Sequence, residues 1–135
     1  MRLLNSHTKI LEVFVEDVPQ YAILSHTWEE EEVAFCDFKD ANVNHISMKG
    51  WYKIEKSCEQ ALRDGLDYIW VDTICIDKSS SAELSEAINS MFRWYRNSTL
   101  CYAYLCDLPA VGLRESRWFT RGWTCLLYTS DAADE

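Results

Sequence analysis

The chain has 135 residues, 48% of them hydrophobic and 26% charged, with only 4 Gly and 2 Pro; this bounds it to one globular domain and excludes a disordered or fibrous class. Its formal net charge of −9 argues against nucleic acid as the main partner. No stretch approaches the roughly twenty apolar residues of a membrane span, and MRLLNSHTKILEVFVED has no uninterrupted apolar core of signal-peptide length, so no membrane association is expected and a cytoplasmic location is the default.

In chain order, the first predicted strand is YAILS (Tyr21–Ser25), set off by Pro19 and followed by an acidic loop, Glu29–Glu32, and a mixed connection to about Lys49. From Trp51 to Arg63 the apolar residues Ile54, Cys58, Ala61 and Leu62 recur at helical spacing while Lys53, Lys56, Glu59 and Arg63 face out. Gly65 supplies the left-handed cap. The run that follows is short, β-branched and aromatic, which predicts a central strand, covered on both faces, over Tyr68–Cys75.

Ser80-x-x-Glu83 is a capping box opening a second helix, with Leu84, Ile88, Met91 and Tyr95 on one face. LCYAYLCD (Leu100–Asp107) is the third strand, closed by Pro109, and SRWFTRGWT (Ser116–Thr124) reads as the start of another helix. Three apolar runs alternating with two helical patterns predict an α/β fold. By the right-handed crossover rule the strands are neighbours in an open parallel sheet with helices on both faces.

Ligands of such sheets bind beyond the carboxyl ends of the strands. Those ends carry Ser25, His26 and Trp28 after the first run, Asp77 and Lys78 after the second, and Asp107 after the third. A Ser25–His26–Asp72 hydrolase triad is rejected, because adjacent residues of an extended segment point to opposite faces. His26 is then either a ligand-facing donor or a satisfied structural histidine. Asp72, read as mid-strand in an apolar run, requires a partner and is either an anchor or a site residue. Asp77 caps the next segment or faces the crevice. Glu83 has a capping explanation, and the Glu29–Glu32 run reads as solvated rather than as a cation site.

The six cysteines contain no CxxC pair and no zinc-finger spacing, so no metal site is expected. Several lie in apolar runs such as VDTICID and LCYAYLC, where reduced Cys behaves as a small buried hydrophobe.

Four ordered blocks, YAILSHTW (Tyr21–Trp28), YIWVDTICID (Tyr68–Asp77), the helix–strand pair from Ala82 to Asp107, and SRWFTRGWT (Ser116–Thr124), resemble those of the fungal heterokaryon-incompatibility (HET) domain. The resemblance covers residues 1–124. Glu29 departs from it, since a glycine commonly follows SHTW there. After RGWT the family usually continues Leu-Gln-Glu-Leu-Leu, whereas this chain continues CLLYTSDAADE, which looks like a translated transposase-type sequencing adapter. Residues 125–135 are therefore expected to be a non-native tail on a domain truncated at its C-terminus.

HET domains are in turn similar to Toll/interleukin-receptor (TIR) domains, which have a flavodoxin-like sheet and of which several hydrolyse NAD. By that fold-level analogy the expected catalytic glutamate would follow Thr124 and has no residue in this sequence. Trp28, Trp123 and Arg121 would supply aromatic walls and a phosphate donor. The resemblance implies an effector module of fungal non-self recognition and programmed cell death, with NAD as a substrate rather than a cofactor in intact relatives. It also implies partnership by self-association or with other domains of a larger parent. A non-enzymatic interaction module and an inactive fragment are the alternatives.

Overall fold

The computed structural model describes residues 1–120. It contains β1 (Arg2–Asn5), β2 (Leu11–Val13), β3 (Ala22–His26), α1 (Phe35–Lys39), α2 (Trp51–Arg63), β4 (Tyr68–Trp70), α3 (Asp72–Cys75), α4 (Ser81–Asn97) and β5 (Leu100–Tyr104), with 3₁₀ turns at His45–Ser47, Leu113–Glu115 and Arg117–Thr120. The five strands form one sheet in the order β2-β1-β4-β3-β5.

The α/β class holds. β3 pairs in parallel with both β4 and β5, so it lies between the other two predicted strands. The sheet is mixed, however: β1 runs antiparallel to both β2 and β4. This hairpin was not predicted because its strands are only four and three residues long and its turn carries no Asn-Gly signal. Instead, the Asn5 side chain accepts hydrogen bonds from the His7 and Thr8 amides, at 2.9 and 3.1 Å, and Lys9 adopts φ 59°. Asparagine is substituting for turn backbone there.

Register assigns the faces. Ala22 pairs with Ile69 and Ile23 with Trp70, and in-register neighbours point the same way. Ile23 and Ser25 therefore share a face with Trp70, whose ring meets Trp94 and Tyr95 of α4 at 5.6 and 6.1 Å. Ala22, Leu24 and His26 take the other face, where Lys53 of α2 reaches His26. One helix thus covers each side. Trp70, fully buried, anchors the α4 side, and truncating such a residue to Ala costs about 3–5 kcal/mol.

The second predicted strand ends earlier than expected. Trp70 is its last residue, and Asp72–Cys75 is a single helical turn in which the Cys75 amide donates to Val71 O at 2.8 Å. An all-buried apolar run fits strand or helix equally, and the tertiary environment decides. Asp72 is therefore not mid-strand; it stands at the carboxyl end of β4. The third strand likewise stops at Tyr104, before Asp107. At Ser116–Thr124 the described part forms a 3₁₀ turn, Arg117–Thr120, and the rest of that stretch lies outside the described residues.

Two face assignments need correction. Ile88 is 54% exposed, because the buried stripe of α4 runs through Ala87, Ser90 and Met91, a rotation of about 100° from Ile88 to its neighbour Ala87. Lys53, expected to face out, is only 4% exposed. Both caps of α2 are legible. Gly65 has φ +77°, and its amide bonds to Leu62 O while that of Leu66 bonds to Ala61 O, a Schellman closure. At the other end a Cβ on Gly50 would stand 2.9 Å from the backbone of Glu31, Glu32 and Val33, so only glycine lets the acidic loop pack on α2.

No helix among the described residues is long and apolar enough to cross a membrane. Of the cysteines among the described residues, Cys58 and Cys75 are buried as small hydrophobes, but Cys36 and Cys101 are exposed and Cys106 is half-buried. The exposure of Cys101 corrects its reading as a buried residue: β5 is an outer strand, and its alternate side chains on the α4 face, Cys101 and Ala103, are open to solvent.

Candidate functional site

The carboxyl ends of β3, β4 and β5 carry a hydrogen-bonded chain of charged and aromatic groups. His26, the last residue of β3 and fully buried, presents Nε2 to Asp72 Oδ1 at 2.7 Å and Nδ1 to the Lys53 ammonium at 2.9 Å. An ammonium only donates, so Nδ1 accepts and the imidazole carries its proton on Nε2, toward the carboxylate. Lys53 also donates to Thr27 O at 3.2 Å and pairs with Glu32 of the acidic loop. The second oxygen of Asp72 accepts the Trp28 indole N–H at 3.0 Å. The sequence Glu32, Lys53, His26, Asp72, Trp28 is thus one continuous network running from loop to helix to two strand ends.

Electrostatics keep the Asp72 carboxylate ionised. Burial alone would raise the Asp72 carboxyl, but the hydrogen bond from His26, the Lys78 ammonium and the Trp28 N–H together hold it below its ordinary value of 3.8. Lys78 sits 3.8 Å from the centroid of the Trp28 ring, a cation–π contact, and burial lowers its own pKa despite the attraction of Asp72.

Beside this network opens a cleft of about 570 Å³ bordered by Trp28, Glu29, Lys49, Lys53, Tyr104 and Arg117, among others. Tyr104 stands at the end of β5, with the Lys53 ammonium 5.8 Å from its ring centroid. Arg117 pairs with Glu29 and lies 3.3 Å from Cys106 Sγ, and its backbone N–H donates to Asp107 Oδ2 at 2.8 Å. The Cys106 thiol, which donates to Glu29 at 2.7 Å, and the Arg117 guanidinium hold the Glu29 carboxyl below its usual range. Trp118 pins this wall to the sheet by donating its indole N–H to Ser25 O and Oγ at 3.2 and 3.1 Å.

The structure therefore brings His26, Trp28 and Asp72 into one network. It turns Ser25 to the opposite face, toward Trp118, which removes any Ser–His dyad. Asp77 accepts from the Ser79 amide and hydroxyl at 3.1 and 2.6 Å, a turn-forming arrangement ahead of α4. Ser80 Oγ accepts from the Glu83 amide at 3.3 Å, but the Glu83 carboxylate turns to the Asp77 amide and to Arg2 rather than back to Ser80. Arg121 and Trp123, like the position expected to hold a catalytic glutamate, lie outside the described residues. Among the described residues no cluster of three or more His, Cys, Asp or Glu is placed to hold a metal ion.

Sequence reasoning missed Lys53, Glu32, Lys49, Tyr104 and Arg117. One signal was available for Lys53: it is next to Ile54 on the helix and four residues before Ser57, whose hydroxyl donates to Lys53 O, so its aliphatic stem follows the apolar stripe inward.

Comparison with known proteins is consistent with this architecture. The family model described as "Heterokaryon incompatibility protein (HET)" matches residues 21–110, which includes β3, the acidic loop, α2, Asp72 and β5. The vegetative incompatibility protein HET-E-1 of Podospora anserina is 50% identical over 121 residues, a match covering 79% of this chain and 9% of that protein. This chain therefore corresponds to a small part of that relative's length. No solved structure matches it. A family match across two strand ends, the helix that supplies Lys53 and the turn that supplies Asp72 identifies the chain as a member of the heterokaryon-incompatibility family.

Proposed function

We propose that the chain is an effector module of fungal vegetative incompatibility, acting in the cytoplasm downstream of non-self recognition toward cell death, and that its cleft receives a nucleotide, NAD in catalytically competent relatives. The observation that carries the reading is the composition of the cleft: an aromatic plate, Trp28, a second ring, Tyr104, and the cations Lys49, Lys53 and Arg117 around one opening. Planar base and anionic phosphate are the two chemistries such walls complement. The name of the Podospora relative supports the biological setting.

Cleavage of a nicotinamide glycosidic bond develops oxocarbenium character, which a neighbouring carboxylate stabilises or traps. Glu29 borders the cleft but is engaged by Arg117 and Cys106. The TIR-like assignment gives that task to a glutamate after Thr124. Nicotinamide release should therefore be followed with the 135-residue chain and with a chain continuing Leu-Gln-Glu-Leu-Leu after Thr124. Turnover only by the second supports the proposal; equal turnover would move the chemistry to Glu29 or Asp72. Silence from both, each properly folded, favours a non-enzymatic docking module. The exposed Val15 and Val18 beside α4 are the observation behind that second reading, in which other domains of a larger parent or a second copy would be the partner.

A further inference from the structure

We propose that Trp28 is a preorganised stacking platform for the planar base of the nucleotide, and that Asp72 is the positioning residue that sets its ring. The inference rests on the nucleotide reading of the cleft and adds to it which side chain holds the base and what holds that side chain.

Trp28 is 52% exposed, yet its orientation is fixed. Its N–H is bound to a carboxylate that is itself buried and tied through His26 to Lys53 and Glu32, and the Lys78 ammonium lies against the ring. An exposed indole on a loop after a strand ordinarily retains rotamer freedom, and immobilising it on binding costs affinity. Here that cost is met on folding, because a chain of buried or half-buried groups from the acidic loop, α2 and β3 holds in place Asp72 of α3, the one carboxylate that accepts the indole N–H. Nothing in the packing of the core requires this: the indole borders the cleft instead of the core. A ring held rigid at the rim of an opening that also carries Lys49 and Arg117 is arranged to stack a base while the cations meet the phosphates. Stacking of a base on an aromatic side chain is sequence-tolerant and is lost on truncation to alanine.

The test uses the full 135-residue chain and calorimetric titration with three probes: nicotinamide mononucleotide, adenosine monophosphate and ribose 5-phosphate, the last having phosphate but no base. Trp28→Ala should weaken the two base-bearing probes by roughly fivefold to a hundredfold and leave ribose 5-phosphate unchanged, while Trp28→Phe, which keeps a ring but has no N–H for Asp72 to hold, should fall between wild type and Trp28→Ala. The fixed indole should contribute a near-ultraviolet circular dichroism band, visible as the difference between wild type and Trp28→Phe. Asp72→Asn should lose that band and weaken the base-bearing probes, in a protein whose far-ultraviolet spectrum shows it folded. Should Asp72→Asn fail to fold, His26→Gln, one link further from the ring, is the replacement variant, with the same expected losses.

Undiminished binding of the base-bearing probes by Trp28→Ala overturns the inference, as does an equal loss for ribose 5-phosphate. Either outcome leaves the nucleotide reading standing. Failure of all three probes to bind folded wild type overturns the nucleotide reading and this inference with it.

Discussion

Two openings of nearly the same size lie on opposite sides of the sheet: the cleft at the strand ends, about 570 Å³, and a groove of about 550 Å³ between α4 and the Phe14–Tyr21 segment. Volume does not separate them. Their walls do. The groove is bordered by Phe14, Val15, Val18 and Trp94, with Tyr21 donating its hydroxyl to Trp94 O at 2.5 Å. Val15 and Val18 are exposed there, and so are the charged residues on its rim, Glu86 and Arg93. The cleft is backed by a buried chain of charged and polar groups whose burial is costly unless every member keeps its partner. A protein that tolerates such a chain at one end of its sheet has placed there a constraint that core packing does not supply, which is why the cleft and not the groove is assigned the chemistry.

Substitutions at the two openings should therefore differ in cost. Asp72→Ala leaves the buried His26 N–H and the Trp28 N–H without their acceptor, so it should lose about 2–3 kcal/mol in a urea melt. The groove counterpart, Tyr21→Phe, removes one neutral hydrogen bond and should lose about 0.5–1.5 kcal/mol. Equal losses would erase the distinction between the two walls.

Acid sharpens the same contrast. The folded pKa of Asp72 lies below its ordinary value of 3.8, so its contribution to stability is complete above that value and is lost as pH falls through the lower, folded one. Wild type should lose stability progressively as pH falls below about 4, and Asp72→Asn, which binds no proton there, should show a shallower decline. A slope identical to wild type would mean that the network does not favour the ionised carboxylate.

At the outer wall the expected effects are smaller. Arg117→Ala should change stability by no more than about 1 kcal/mol, because its pairing with Glu29 is solvent-exposed. Thiol alkylation probes access without altering stability. Cys106, half-buried at the cleft, should react faster near pH 8 than Cys75, which borders the α4 face but is 4% exposed and has its thiol pushed up by burial to about 12. Burial also raises the Cys106 thiol, so it should still lag behind exposed Cys36. Faster labelling of Cys75 would show the buried Asp72–Cys75 turn to be more accessible than the cleft wall.

Much of this arrangement was legible in the sequence, and the exceptions have identifiable causes. The three parallel strands announced themselves as apolar runs between helical patterns, and Gly65 and Ser80 marked the end of α2 and the start of α4. His26 and Trp28 could be named because they follow the end of a predicted strand, and Asp72 because a carboxylate within an apolar run requires a partner. Their mutual contacts could not, because the helical turn at Asp72–Cys75 is indistinguishable from strand by apolar content alone. Lys53 was hidden by its charge: amphipathic patterning assigns a lysine to solvent unless something buried neutralises it, and its partner Glu32 is 21 residues away. The reach of Arg117 to Glu29 spans 88 residues. No local pattern encodes either pair.

The central claim, that the ligand enters at the strand ends beside Trp28, is tested most directly by amide hydrogen exchange of the full chain with and without NAD. Added NAD should slow exchange in peptides covering Trp28–Gly50 and Tyr104–Arg117 and leave those covering Phe14–Tyr21 unchanged. Protection confined to Phe14–Tyr21 and α4, with none around Trp28, would contradict the assignment and transfer the site to the groove.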